Sequence, residues 1–379
     1  MTSISTSVSG TQRDRDHRTE ITAAVLRTLG EPLALEQAFI DVPLVGEVRI
    51  RTLAVGLCHS DLHYLEGGLA IETPAVLGHE VVGEVEQVGP DCRSLQLGDR
   101  VIASITPSCG QCPQCVSGKA TRCLRTAEMR IRERPKLLDS NGQPINLLGS
   151  IGAFAEAFIV PESATVPVPD TLDSASACLL GCCVATGFGA VVHGAEVSAL
   201  DTVAVLGCGG VGIAAIQAAR IAGARRVIAI DLHAEKLDRA RKFGATDTLL
   251  STSELVAEVD ALCPGGVDKS FEAVGSPTTA GLAFDILAPG GTATILGLQA
   301  AGKRIEIDAE KLIEGDRKIA GAYMGANQLS RDMLAFADHF ERGTLNLVDM
   351  VTSHWSFPDI NDGFAAMRSP DSIRAVVTF

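Results

Sequence analysis

Aromatic side chains are scarce: one Trp, two Tyr and twelve Phe make up 4% of the 379 residues. Basic charge is short as well, 32 Lys and Arg against 46 Asp and Glu, a formal net charge of −14. A phosphate backbone would need a basic face with interleaved aromatics, so nucleic acid is not an expected partner. The first twenty residues, MTSISTSVSGTQRDRDHRTE, hold no apolar core and carry acids, which excludes a secretory signal. Residues 1–18 read as a polar, disordered tail. Uninterrupted apolar runs are missing too. The uncharged stretches 174–192 and 202–219 are broken by glycines and rich in alanine. They read as buried core rather than as membrane spans. A cytoplasmic protein is expected.

Glycine, with 38 residues, and an apolar fraction of 46% are what the chain does have. The length suits two domains. Up to about residue 170 the chain reads as short strands punctuated by Gly and Pro, a compact, mostly antiparallel β unit. From there on strand and helix signals alternate, the pattern of a parallel sheet in an α/β fold. The stretch 174–192 reads as one helix across the boundary between them.

Eleven cysteines are an odd number in a long chain without a secretion signal, so metal binding outranks a disulfide framework. Cys109, Cys112, Cys115 and Cys123 stand at C-x2-C-x2-C-x7-C on a loop of small polar residues. Four thiolates so close can close a tetrahedral zinc shell with no open position, a structural site. A second candidate lies in residues 56–80, GLCHSDLHYLEGGLAIETPAVLGHE. Cys58 and His79 are a thiolate and an imidazole that zinc favours, and Asp61 and Glu80 stand beside them as supporting carboxylates. Ser60 and His63 are placed to pass a proton outward. A lone Cys and His are more often ordinary core or surface residues, so the rest of the chain decides.

Gly207, Gly209, Gly210 and Gly212 follow the strand TVAVL and open the helix GIAAIQAARIAGA. Such a turn brings backbone close to a pyrophosphate at a helix N-terminus. Asp231 ends the next strand, about 20 residues on, where a carboxylate bonds an adenosine ribose and repels a 2′-phosphate. NAD is therefore expected over NADP.

These motifs, with LLGCCVATG at 179–187 and in this order, resemble the zinc-dependent medium-chain alcohol dehydrogenases from about residue 20 to the end. The resemblance implies a GroES-like catalytic domain (19–183 and 324–379) and a Rossmann NAD-binding domain (184–323). It implies two zincs per chain: the four-cysteine site, and a catalytic zinc on Cys58, His79 and Cys182, with Glu80 and Asp61 tuning it. Cys182 rather than its neighbour Cys183 follows from register. The implied reaction is reversible hydride transfer between a zinc-bound alcohol and NAD, giving an aldehyde or ketone. Ser60 takes the alcohol proton, and the cofactor ribose and His63 carry it outward. His59 and Arg374 are implied near the pyrophosphate, Lys236 near the adenosine ribose, and Thr186 and Val211 beside the nicotinamide. His59 stands where some members have arginine. Leu69 and Ile105 match positions lining an apolar substrate pocket. The long segment between Cys123 and Phe154 resembles the loop of dimeric members, so a homodimer is expected.

Competing readings share the scaffold or part of it. A thiol-adduct-dependent formaldehyde dehydrogenase would need basic groups at the pocket mouth. Arg125, Arg130, Arg132 and Arg134 lie in the right loop but read better as a solvated charged segment. A nicotinoprotein would hold NAD permanently. A zinc-ribbon nucleic-acid-binding protein fits the four cysteines alone and is opposed by the charge. A scaffold that had lost its chemistry would lack a ligand or the cofactor turn, and none is missing.

Overall fold

The computed structural model describes residues 17–379. Most of the expected polar tail, residues 1–16, lies outside the described residues. Arg18, at its end, reaches the carbonyls of Phe39 and Lys136, each at 3.4 Å.

Alternating apolar residues give ten strands in the first half: β1 (Thr19–Leu26), β2 (Ala34–Ile40), β3 (Glu47–Leu57), β4 (Ala75–Val76), β5 (Glu80–Val88), β6 (Arg100–Ala103), β7 (Leu137–Asp139), β8 (Asn146–Leu147), β9 (Ala157–Pro161) and β10 (Thr165–Pro167). The second half supplies β11 (Thr202–Leu206), β12 (Arg226–Asp231), β13 (Asp247–Leu250), β14 (Val267–Glu272), β15 (Leu287–Ile295) and β16 (Lys318–Gly321). Finally β17 (Val351–Ser356) and β18 (Arg374–Thr378) return the chain to the first half.

A five-stranded sheet runs β7-β2-β1-β4-β8, and a seven-stranded one runs β10-β6-β5-β3-β18-β17 with β9 also on β3. Their pairings are mostly antiparallel; β4 with β8 and β17 with β18 run parallel. The pairing that matters most is β3 with β5, where Gly56 faces Glu80. Cys58 therefore leaves the end of β3 beside the point where His79 enters β5. Two ligands 21 positions apart become neighbours through one register.

The third sheet is parallel, ordered β13-β12-β11-β14-β15-β16. All five residues of β11 are buried, as expected of a strand covered on both faces. Its successors β12 and β14 lie on opposite sides of it, so a crevice opens at its C-terminal end.

The expected single helix over 174–192 is broken. Helix Ser174–Cys178 passes through a 3-10 turn, Leu179–Gly181, into helix Cys183–Gly189 and then a π turn, Ala190–Gly194. Cys182 stands at the break with φ −140° and ψ −78°, outside helical geometry. The two halves bend by 52° and are buried in the core. Among the described residues no single helix is long and apolar enough to cross a membrane. Small residues let the helices cross closely: a Cβ on Gly187 would sit 2.7 Å from the Cβ of Ala214 in the helix Gly210–Ile221.

Candidate active site

The helix His59–Leu65 starts immediately after Cys58, and its third residue turns a carboxylate back on the chain. Asp61, fully buried, accepts from the N–H of Cys58 at 3.3 Å and of Gly78 at 3.0 Å. It also lies 3.1 Å from His79 Nδ1. That contact leaves Nε2 of His79 facing the sulfur of Cys182 at 3.3 Å. The donor atoms of Cys58, His79 and Cys182 all lie within 4.8 Å of one another, and all three residues are buried. Burial works against a charged imidazole, but Asp61 outweighs it and holds His79 well above its usual range. A hydrogen bond shared with Cys182, aided by His79, holds the Cys58 thiol well below its own. Two soft sulfurs and an imidazole nitrogen converging in a dry site are the donor set of a zinc that keeps an open position.

The break at Cys182 decides between the paired cysteines. Cys183 begins the next helix and turns away, with its Sγ 3.5 Å from Glu80 Oε1 and 3.6 Å from the Leu179 carbonyl. Glu80 does not reach the trio as a ligand atom. It accepts from the Cys183 N–H at 3.2 Å and lies 3.2 Å from Arg374 Nε. Burial pushes its carboxyl up to about 7 against the pull of Arg374. Arg374, also buried, donates to the carbonyl of Leu57 at 2.8 Å, and its guanidinium packs where a side chain on Gly210 would go. It thus joins the ligand strands to the glycine turn.

The second cluster is the four-cysteine loop. The donor atoms of Cys109, Cys112, Cys115 and Cys123 lie within 4.8 Å of one another, and all eleven cysteines are free of disulfides. Backbone N–H groups point at the sulfurs: that of Cys112 at Cys109, those of Cys109 and Arg125 at Cys123, at 3.3 to 3.4 Å. Backbone donors at Cys115 and Leu124 hold Cys112 down to about 6. Partial burial and the neighbouring thiols push Cys115 up to about 12. Four sulfurs in a ring of N–H donors fit one metal ion with no place left for a reactant.

A cleft of about 710 Å³ connects the Cys58–His79–Cys182 trio to the crevice at β11. Ser60, His63 and Ile105 line the trio's end, Thr186 and Val211 the middle, and Gly207, Gly209, Gly210, Asp231 and Lys236 the far end, with His59 and Arg374 along the wall. His59 is open to solvent within the cleft. The enclosing walls, then the cations Arg374 and Lys236, hold its imidazole below the usual range. Gly207 has φ +96°, and a Cβ on Gly212 would overlap the Gly207 carbonyl oxygen, so this turn needs glycine at both places. Asp231 closes the turn by accepting from the N–H of Cys208 at 2.8 Å and of His233 at 3.1 Å.

Leu69 is not in the cleft wall. After the helix His59–Leu65 the chain doubles back, with the Leu69 N–H on the His63 carbonyl at 3.2 Å, and the side chain is half-buried elsewhere. Tyr64, Leu148, Gly149 and Met324 form the wall with Ile105. Nothing local in the sequence marks them. The loop arginines divide: Arg125 is the solvated residue expected, its side chain 55% exposed, whereas Arg132 is pinned between Asp41 at 2.7 Å and Glu47 at 3.0 Å and Arg130 lines the cleft.

Comparison with known proteins agrees with this geometry. The family described as "Alcohol dehydrogenase GroES-like domain" matches residues 45–170, and "Zinc-binding dehydrogenase" matches 210–339. An NDMA-dependent alcohol dehydrogenase of Amycolatopsis methanolica is 33% identical over 362 residues, covering 94% of this chain and 98% of the relative. Among solved structures, an alcohol dehydrogenase zinc-binding domain protein from Burkholderia ambifaria superposes with a TM-score of 0.90 at 30% identity, covering 96% of this chain and 99% of the other. Benzyl alcohol dehydrogenase from Acinetobacter calcoaceticus gives 0.88 at 28%, covering 95% and 99%. Matched on both halves and spanned almost end to end by such relatives, the chain belongs to the medium-chain, zinc-binding alcohol dehydrogenase family.

Proposed function

We propose that this protein is a zinc-dependent alcohol dehydrogenase that oxidises an alcohol to an aldehyde or ketone, reversibly, with NAD. The observation that carries this is the single cleft with the Cys58–His79–Cys182 trio at one end and the glycine turn with Asp231 at the other. A zinc held by the trio would lower the pKa of an alcohol hydroxyl, and a second on Cys109, Cys112, Cys115 and Cys123 would brace the loop. NAD would accept the hydride.

This chain's own residues supply the rest. Asp61 fixes the His79 ring so that Nε2 faces the trio. Ser60 accepts the hydroxyl proton and His63, further along the wall, delivers it to solvent. Thr186 and Val211 border the nicotinamide, while His59 and Arg374 lie along the pyrophosphate. Asp231 and Lys236 hold the adenosine ribose. Ile105, Leu148 and Met324 exclude water from the reacting end. Residues 19–183 with 324–379 form the catalytic domain and 184–323 the cofactor domain. The exposed edge strand β16 offers unpaired backbone for a homodimer. Eleven free thiols suit the reducing cytoplasm.

The test is a panel of primary, secondary and aromatic alcohols with NAD or NADP, following absorbance of the reduced cofactor. Zinc-loaded protein reduces NAD with at least one alcohol; reduction with none overturns the reading. A second reading is favoured by the similarity to an NDMA-dependent relative: a tightly held cofactor that needs an external acceptor. NAD released on denaturing the purified protein, with turnover only when an acceptor is added, selects it.

A further inference from the structure

Between the four-cysteine loop and the helix Leu329–Glu341 lies a second cavity, of about 210 Å³, which shares no lining residue with the cleft. Six hydroxyl side chains line it, and those of Ser108, Thr121 and Ser330 have no hydrogen-bond partner among the described residues. No carboxylate lines it, although the chain carries 46 acids. Its one charged residue is Arg331, on the exposed rim, which pairs with no acid among the described residues.

Two groups in this wall are left unsatisfied. Asn327 lines the cavity yet is only 2% exposed. Its amide nitrogen donates to the carbonyl of Met324, which fixes the orientation of the amide and leaves Oδ1 without a donor. The start of the helix is open as well. Gln328, at the N-cap, offers it no side-chain acceptor, because its amide is spent on the carbonyl of Gly118. The N–H groups of Leu329 and Ser330 have no acceptor among the described residues. Asp332, the acid of this first turn, takes the Gln328 N–H at 2.8 Å and His193 Nε2 at 2.9 Å and does not line the cavity. An uncapped helix N-terminus favours an anion, and a buried lone acceptor calls for a donor. The ligand has to bring both negative charge and an O–H.

Inorganic phosphate brings both. Near neutral pH it is an anion that keeps at least one P–O–H, whereas sulfate has lost every proton. We infer that this cavity is a binding site for inorganic phosphate, distinct from the cofactor cleft. The phosphate O–H donates to Asn327 Oδ1. Its charged oxygens accept from the N–H groups of Leu329 and Ser330, from the free hydroxyls and from Arg331 at the rim. A bound phosphate joins the four-cysteine loop, through Thr121, to the segment that leads back to Met324 beside Cys58 and Cys182.

The experiment is calorimetric titration of the full chain with phosphate, sulfate or methyl phosphate at pH 8 and equal ionic strength, with NADH present to fill the glycine turn. Native protein is expected to bind phosphate saturably in the millimolar range or tighter. A satisfied buried acceptor predicts roughly tenfold weaker binding of sulfate. Methyl phosphate, which has lost its last O–H at pH 8, falls with sulfate. Asn327→Leu removes the acceptor and brings phosphate and sulfate to within about twofold of each other. Arg331→Glu reverses the charge at the rim, at a helix position that accepts Glu readily, and weakens phosphate about tenfold. It keeps the test open should loss of the Asn327 bond to Met324 prevent folding. No saturable binding, equal affinity for phosphate and sulfate in the native protein, or phosphate binding unchanged by Arg331→Glu overturns the inference.

Discussion

Replacing Asp231 by serine tests how the cleft chooses its cofactor. In the register of the parallel sheet Leu206 pairs with Ile230, so Asp231 stands one residue beyond, beside the glycine turn. Each carboxylate oxygen takes one backbone N–H, Cys208 and His233, and keeps lone pairs for the cleft. Charge-assisted bonds from ribose hydroxyls to those oxygens are worth about 1.5–3 kcal/mol, or roughly 10- to 150-fold in NAD affinity. A 2′-phosphate would instead meet like charge, at about 4 kcal/mol per unit pair 4 Å apart in partly solvated surroundings. Solvent reaches the half-buried Asp231, so we retain about 1–2 kcal/mol of that repulsion. Asp231→Ser removes both effects and shifts the NAD/NADP ratio of kcat/KM toward NADP by roughly a hundredfold or more. Asp231→Asn is the control, since its amide oxygen still accepts from the Cys208 N–H and preserves the turn. The assay measures kcat/KM for both cofactors with one alcohol. A ratio that moves less than threefold in Asp231→Ser refutes the assignment and puts the discrimination elsewhere in the cleft.

Gly212→Ala forces a Cβ into the Gly207 carbonyl, and relieving the overlap costs about 1–3 kcal/mol and displaces the turn. NADH affinity, read by fluorescence titration, falls about tenfold or more; an unchanged Kd contradicts the role of the turn. Removing the outer relay with His63→Gln slows turnover, by up to about a hundredfold, and moves the pH–rate profile, whereas an unmoved profile removes His63 from the proton path. Burial holds the Lys136 ammonium down to about 8 in the folded chain against an ordinary 10.5. Between those values the unfolded chain binds more protons, so this residue's contribution to stability rises with pH across the window, by about 3 kcal/mol. The Tm of the native protein relative to Lys136→Met therefore climbs by several degrees from pH 8 to 10.5, and a flat difference contradicts the burial argument.

The parts legible in the sequence are those whose geometry is local. Cys109 to Cys123 fold into a cage within one loop, and the glycine turn is read directly between a strand and a helix. Cys58 and His79 are apart in sequence, yet each sits at a strand end that alternation alone predicts. The choice between Cys182 and Cys183 rests on a helix break that periodicity does not show, since both residues are small, apolar and buried. The substrate wall was the least legible. Its shape depends on a loop anchored by Arg132 to Asp41 and Glu47, 91 and 85 positions away, and no local pattern records such pairings. The same anchoring hides Arg130, which as a sequence is one more charge in a polar segment.

Metal content of two single variants bears most directly on the catalytic site. The native protein is expected to carry two zincs per chain. Cys182→Ala should retain one, bound by Cys109, Cys112, Cys115 and Cys123, and lose alcohol-dependent NAD reduction. Cys183→Ala should retain both, because its sulfur faces Glu80 and the Leu179 carbonyl rather than His79. Two zincs and full activity in Cys182→Ala, or the loss of one from Cys183→Ala, would contradict the account.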